Sequence, residues 1–507
     1  MALLLALFAF VLHLATSGRY GYFRDELYFI ACAHHMAWGY VDQPPLVVFA
    51  ARLAGAFGYA LVALRILPML SAAATVLAAC RVARELGGGR YAVLLTGLGV
   101  ALMPAYLLLG NTLTTTSFEP LSWSLVTWLV IRIVRTGESR LWPAVGAAVA
   151  FGLYGKYSMA LLVVALLVGL ALTHERRALA SPWFPASIAL SLALLAPNLL
   201  WEARHDWPMF TVLHGDVLNR HAFNNGLELE YKSVASNAVA FVLEQALFTG
   251  PIMAPLWLFG LGSLLFDRRL RSYRSIGIAY VVLFALAIAT AAKGYYIIGI
   301  YATLFAAGSI ALERAWSSAA RLRQAVPVIA VASTLPLVPL SLPVLPVDGL
   351  IAYSKALGLT GRNGGEEHLV QPLFAEEFGW NELAEHVARV YDALPPSVRA
   401  KTGLFADTYG DASALAFYGP RYGLPPVISG QNTYYLWGTH GYTGETMIAV
   451  GAMQVDVLKS AFKDVRLVAT YGNPYKWVVE GPTPIYVCTH PRAPLSQLWP
   501  RFKWYGA

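Results

Sequence analysis

Apolar runs, most of them about 17 to 22 residues long, recur through the first two-thirds of the chain, and no other feature limits its fold so strongly. At about 1.5 Å of rise per helical residue such runs approach the roughly 30 Å hydrocarbon thickness of a bilayer. They fall near 2–17, 61–80, 91–110, 121–134, 142–155, 157–173, 183–200, 250–266, 275–292, 295–312 and 325–346. Only 13% of the 507 residues are charged, against about 25% in soluble proteins, which excludes an ordinary soluble enzyme. Those charges crowd into the last third. The sequence therefore describes a polytopic α-helical membrane protein with about eleven transmembrane helices and a polar C-terminal tail. Segment 231–249 is ambiguous between a further span and a helix lying on the surface.

Short loops set the orientation. Arg81, Arg84 and Arg90, then Arg132, Arg135 and Arg140, Arg176 and Arg177, Arg268 to Arg274, and Arg314 to Arg323 mark alternate loops as cytoplasmic. The net charge of +8 thus reflects topology rather than nucleic-acid binding. Loops 18–60, 111–120 and 201–235 then face outward, as does the tail. The first run is expected to stay as a helix, because no Lys or Arg precedes it as a signal peptide would require. Three cysteines are too few for a disulfide framework, although Cys32 and Cys488 would meet an oxidising compartment together.

Two domains follow: residues 1–347 in the membrane, including the first outer loop 18–60, and an outer α/β domain at 348–507. In that domain the pattern gives a helix over 382–394 ending at Pro395-Pro396. Strands are expected at 402–406, 447–451, 465–470 and 484–488, with a helix at 454–462.

Chemistry concentrates at the outer surface. The first loop opens on Arg24-Asp25-Glu26. With Asp25 as N-cap, the following residues form an interfacial helix with Tyr28, Phe29 and Trp38 toward lipid. Neighbouring residues on a helix diverge by about 100°, so Asp25 and Glu26 divide into one catalyst and one orienting or structural partner. A further acid, Glu119, stands at the head of the fourth span, while Lys156 and Lys293 interrupt apolar sequence on the same side. A cap, a solvated charge and snorkelling lysines are the purely structural alternatives. Acids facing cations at one membrane surface suit lipid-donor glycosyl transfer. A carboxylate removes the acceptor proton, and cations stabilise the departing phosphate.

The run Arg24-Asp25-Glu26-Leu27-Tyr28, with Trp38-Gly39-Tyr40-Val41-Asp42-Gln43-Pro44-Pro45-Leu46, resembles the first outer loop of bacterial glycosyltransferase family 39-like enzymes. These form the protein mannosyltransferase and aminoarabinose transferase superfamily, of the GT-C fold. The resemblance covers roughly residues 1–346 and is specific in the first loop. It implies a GT-C glycosyltransferase that moves one sugar, with inversion, from a polyprenyl-phosphate donor to a hydroxyl or amine of a lipid, glycan or protein. The location implied is the periplasmic face of a bacterial inner membrane. Asp25 maps to the catalytic carboxylate, with Glu26 beside it and Glu119 at the second acidic position. Lys156, Lys293 and Tyr296, with Arg24, are the donor-phosphate candidates. Two departures separate the chain from aminoarabinose transferases: Gln43 stands where they have Lys, and Glu119 where Asp is usual.

Loop 201–235 supplies His205, Asp206 and Arg220 as lid candidates over the acceptor. Asp407, Tyr409, Asp411 and the run 431–437 mix polar and aromatic groups, as carbohydrate-binding surfaces and packed cores both do. No metal is expected. Adjacent His34 and His35 point apart on a helix, and a monophosphate donor needs less neutralisation than the diphosphate donors for which GT-C relatives use divalent cations. A transporter or flippase of lipid-linked sugars is the alternative. It predicts ionisable residues in mid-span and a pseudo-repeat, and the sequence has neither.

Overall fold

The computed structural model describes residues 1–218, 234–290, 292–359, 362–363, 366–367, 370, 372–451, 454–475 and 482–506. Each of the eleven apolar runs overlaps one or more helices, with 91–110 split between Arg90–Ala101 and Pro104–Asn111. By length and apolarity, however, five helices among the described residues suffice to cross a membrane, or up to eight if each bent pair is one span. The expected eleven is therefore not confirmed. Helices such as Trp142–Gly155 and Met159–Ala171 have 14 and 13 residues, about 20 Å each, short of a full crossing. In the ambiguous segment, Val234–Thr249 is helical, and from Ala238 it bends by 108° into Ala254–Phe266. Residues 231–233 lie outside the described residues.

Close packing rests on small residues. The helices Ala254–Phe266 and Tyr301–Ala315 lie against each other. A Cβ on Gly260 would come within 2.1 Å of the Leu304 carbonyl oxygen, and one on Gly308 within 1.9 Å of that of Leu256. Only glycine allows that backbone approach, the usual device of membrane helices that lack a hydrophobic drive to associate.

The arginine-bearing loops gather at one end of the bundle. Glu85 pairs with Arg132 and Arg135, and Asp267 with Arg314. Glu313 pairs with Arg323 and accepts the Gly89, Tyr91 and Ala92 amides that open the helix Arg90–Ala101. Sequence polarity and three-dimensional arrangement therefore agree on two opposite ends.

At the other end sits the tail. Its five-stranded sheet runs in the order Val427–Ile428, Thr402–Ala406, Thr446–Val450, Thr483–Pro491, Phe462–Tyr471. The first three strands are parallel and the last two antiparallel. The expected strand at 402–406 matches residue for residue, and the expected helices at 382–394 and 454–462 appear as Trp380–Asp392 and Val455–Ala461. All three cysteines are free and buried. Cys32 and Cys488 do not bridge, because Cys488 packs in a hydrophobic cluster of its own with Phe405, Met447 and Phe462, separate from that of Cys32.

The first loop does not lie in the lipid interface as expected. Its helices Arg24–Ala33 and Leu46–Ala54 share a hydrophobic core with tail residues including Leu404, Tyr409, Ile448 and Ile485. Tyr28 and Phe29 are thus buried under the tail rather than turned to lipid, while Trp38 stays exposed.

Candidate active site

The acids at 25 and 26 part company at once. The N-cap of Arg24–Ala33 is Phe23, not Asp25, since the extended backbone at Phe23 lets Glu26 reach back to its amide at 3.0 Å. Glu26 also takes the Arg65 guanidinium through two hydrogen bonds of 2.8 Å and the Leu113 amide at 2.9 Å. Arg65, fully buried on the span Leu61–Glu85, further donates to the carbonyls of Ser17 and Gly21 and to Glu377 of the tail. Glu26 is therefore committed to holding four segments together.

Asp25 remains about 29% exposed at its side chain. Its Oδ1 accepts the Tyr409 hydroxyl at 2.8 Å, and Arg24 Nε lies 3.6 Å away. Arg24 itself pairs with Glu376 at 3.1 Å and lies over the Tyr409 ring. The tail, rather than a neighbouring span, thus flanks both Arg24 and Asp25.

A third acid, Asp42, sits beside them. It accepts the Tyr28 hydroxyl and the Asn432 amide, each at 2.9 Å. Burial, aided by the charge of Asp25, pushes its carboxyl up to about 7. The residue belongs to the Asp42-Gln43-Pro44-Pro45 run, but sequence reasoning gave it no role. An acid one residue removed from two helix-opening prolines was the available signal.

The second cluster forms where two helices break. Trp142–Gly155 ends at Gly155, and extended backbone at Lys156 separates it from Met159–Ala171. Lys156 Nζ donates to Thr116 at 2.8 Å, lies 3.9 Å from Glu119, and faces the rings of Tyr295 and Tyr296 at 4.4 and 4.8 Å. Such cation–π contacts strengthen when desolvated. Glu119 accepts a short hydrogen bond from Ser158 at 2.5 Å. Lys293 is an electrostatic neighbour of Lys156, and its carbonyl accepts the Tyr296 amide. The structure thus brings Glu119, Lys156, Lys293 and Tyr296 together with Tyr295, which the resemblance also places beside Lys293, and adds Thr116 and Ser158.

Segment 111–119 links the two clusters, with Leu113 bonded to Glu26 and Thr116 to Lys156. A further tie missed in the sequence is Tyr157, which donates to Asn198 and Glu202, while Asn198 donates to the Trp38 carbonyl.

The remaining candidates are scattered. His205 stacks on Trp201 and bonds its carbonyl, and Asp206 holds a left-handed turn with φ of 60°. Arg220 lies outside the described residues. His35 stacks on Trp437 and His34 packs near Tyr59. Among the described residues no group of three His, Cys, Asp or Glu is placed to hold a metal. The run 431–437 is no open sugar platform: Asn432 bonds Asp42, and Thr433 bonds the Val41 amide.

Comparison with known proteins fits this geometry. Residues 42–201 match the family model described as dolichyl-phosphate-mannose-protein mannosyltransferase. Among solved structures, ArnT from Cupriavidus metallidurans bound to undecaprenyl phosphate is similar with a TM-score of 0.61 at 17% identity, covering 96% of this chain and 97% of that one. The same protein in its apo state gives 0.58 at 16% identity, over 96% and 97% of the two chains. No curated protein sequence matches significantly. The family match spans the residues that carry Glu119 and Lys156, and the fold is shared with ArnT over nearly the whole length of the chain.

Proposed function

We propose that the protein moves a single sugar from a polyprenyl-phosphate donor to a hydroxyl or amine of a lipid, glycan or protein, at the periplasmic face of a bacterial inner membrane. Asp25 removes the acceptor proton as the nucleophile attacks the anomeric carbon. The bond from that carbon to the phosphate oxygen breaks with inversion, and the polyprenyl phosphate leaves with the electron pair. A positioned base of this kind contributes about 10² to 10⁴ in rate. Lys156, with Lys293 and Tyr296, holds the phosphate, where negative charge grows as the bond breaks. Glu119 and Thr116 aim the Lys156 ammonium, and Glu26 maintains the scaffold.

One observation supports this reading above the others. A carboxylate open to approach, Asp25, and an ammonium caged by two tyrosine rings, Lys156, occupy the same end of the bundle, where segment 111–119 bonds both Lys156 and Glu26, the neighbour of Asp25. The ArnT structure bound to undecaprenyl phosphate makes a polyprenyl phosphate the natural leaving group.

The test is mass spectrometry of lipids and glycans from cells lacking the protein, complemented with wild type or Asp25→Asn. A single-sugar mass increment should vanish and return only with wild type, and its mass identifies the sugar class. Full restoration by Asp25→Asn would remove the base from Asp25. Accumulation of a lipid-linked sugar on the inner leaflet, with no lost increment, would instead mark a flippase.

A further inference from the structure

We propose that the C-terminal domain completes the active centre, with Tyr409 as the positioning residue that holds the Asp25 carboxylate toward the acceptor. The inference rests on the reading of Asp25 as the base. It starts from local sequence: strand Thr402–Ala406 ends and helix Tyr409–Tyr418 begins, with Thr408 capping it through the Asp411 amide. In parallel α/β sheets the carboxyl ends of the strands form the crevice that receives ligands. Here that edge receives the first-loop helix of the membrane domain, which packs on Tyr409–Tyr418.

Three contacts fix Tyr409 itself. Gln431 accepts its backbone amide, Ser413 donates to its carbonyl, and its ring lies 4.7 Å from that of Tyr28. The next residue is Gly410, where a Cβ would fall 2.7 Å from the Cγ and Cδ of Arg24. That gap lets Arg24 lie over the Tyr409 ring, 5.2 Å from its centroid, on its way to Glu376. The hydroxyl then has one described carboxylate to serve, Asp25 at 2.8 Å. Burial, above all, keeps this phenol protonated, so it donates and does not compete for the acceptor's proton.

The charged and titratable groups facing Asp25 are Arg24, the neutral phenol of Tyr409, Asp42 and, across Arg24, Glu376. Donation by Tyr409 occupies Oδ1, leaving Oδ2 for the acceptor. Removing the hydroxyl frees the carboxylate to rotate away from the acceptor. The rate near neutrality should then fall about tenfold, in kcat rather than in KM.

The experiment uses full-length protein in membranes, with total lipid extract of the parent cells as the source of donor and acceptor. The single-sugar increment is followed by mass spectrometry at rising concentrations of extract. Tyr409→Phe keeps the ring and should melt with wild type, while its saturating rate falls about tenfold and its half-saturating concentration stays unchanged. A Tyr409→Phe rate identical to wild type overturns the proposal, as does a loss of rate accompanied by lower melting. Asp25→Asn is run in parallel: if it is active, the base assignment itself fails, an outcome separate from failure at Tyr409.

Discussion

Two buried ion clusters stand at the tail end of the bundle and differ in how fully they are satisfied. In the clamp, Arg65 meets Glu26 with paired hydrogen bonds of 2.8 Å, and two backbone carbonyls and Glu377 take its remaining donors. In the cage, among the described residues, Lys156 has a 3.9 Å approach to Glu119 and a hydrogen bond to Thr116, with tyrosine faces beside it. A guanidinium fork suits fixed, saturated geometry, whereas an ammonium is a compact charge with rotatable donors. The clamp therefore reads as architecture, and the cage is the cluster to which the proposed function gives the donor phosphate.

The sharpest way to break that contrast is Arg65→Leu. It leaves Glu26 and Glu377 buried without their cation, and removing one partner of a buried pair costs about 3–5 kcal/mol. Melting of the detergent-solubilised protein should fall steeply, with the tail becoming sensitive to protease. Unchanged melting would show that the clamp carries no architecture. Lys156→Met should do the opposite, lowering transfer by about 10² to 10³ while melting barely moves. A stability loss as large as that of Arg65→Leu would erase the distinction.

Much of this arrangement was legible in the sequence, for specific reasons. The apolar runs and arginine loops gave the bundle and its two ends because bilayer thickness and charge bias act locally. Strand Thr402–Ala406 was visible because its residues are buried without a break and Gly and Pro punctuate the chain around it. In the second cluster Glu119, Lys156 and Lys293 were legible because each interrupts apolar sequence, whereas Tyr296 came from the family resemblance. What stayed hidden was long-range. Arg65 reads as one charge within a span, and its partners Glu26 and Glu377 lie 39 and 312 residues away. Tyr28 and Phe29 looked lipid-facing because amphipathic pattern does not say which apolar phase receives a face, and the tail took that place. Tyr409 meets Asp25 across 384 residues, a contact no local spacing announces.

The clamp also makes a smaller prediction, in pH. One arginine neutralises one carboxylate, and Glu26 holds it with two bonds, so Glu377 is left the weaker partner. Burial pushes its carboxyl up to about 8 from an ordinary 4.5, with Arg65 opposing and Glu26 adding to the rise. Between those values the folded protein holds a proton that the unfolded chain has released, so stability falls as pH rises. The contribution is fully present below about 4.5, declines across the window and is lost once pH passes about 8. Asp42, raised from 3.8 to about 7, acts in the same direction over a lower window. Melting measured from pH 5 to 9 should therefore drop toward the alkaline end. Glu377→Gln keeps the shape but carries no titrating group, so its curve should be flatter than wild type and the two should diverge most near pH 8. Parallel curves would mean that Glu377 remains ionised beside Arg65 throughout, and the clamp would then be a triad of one cation between two anions.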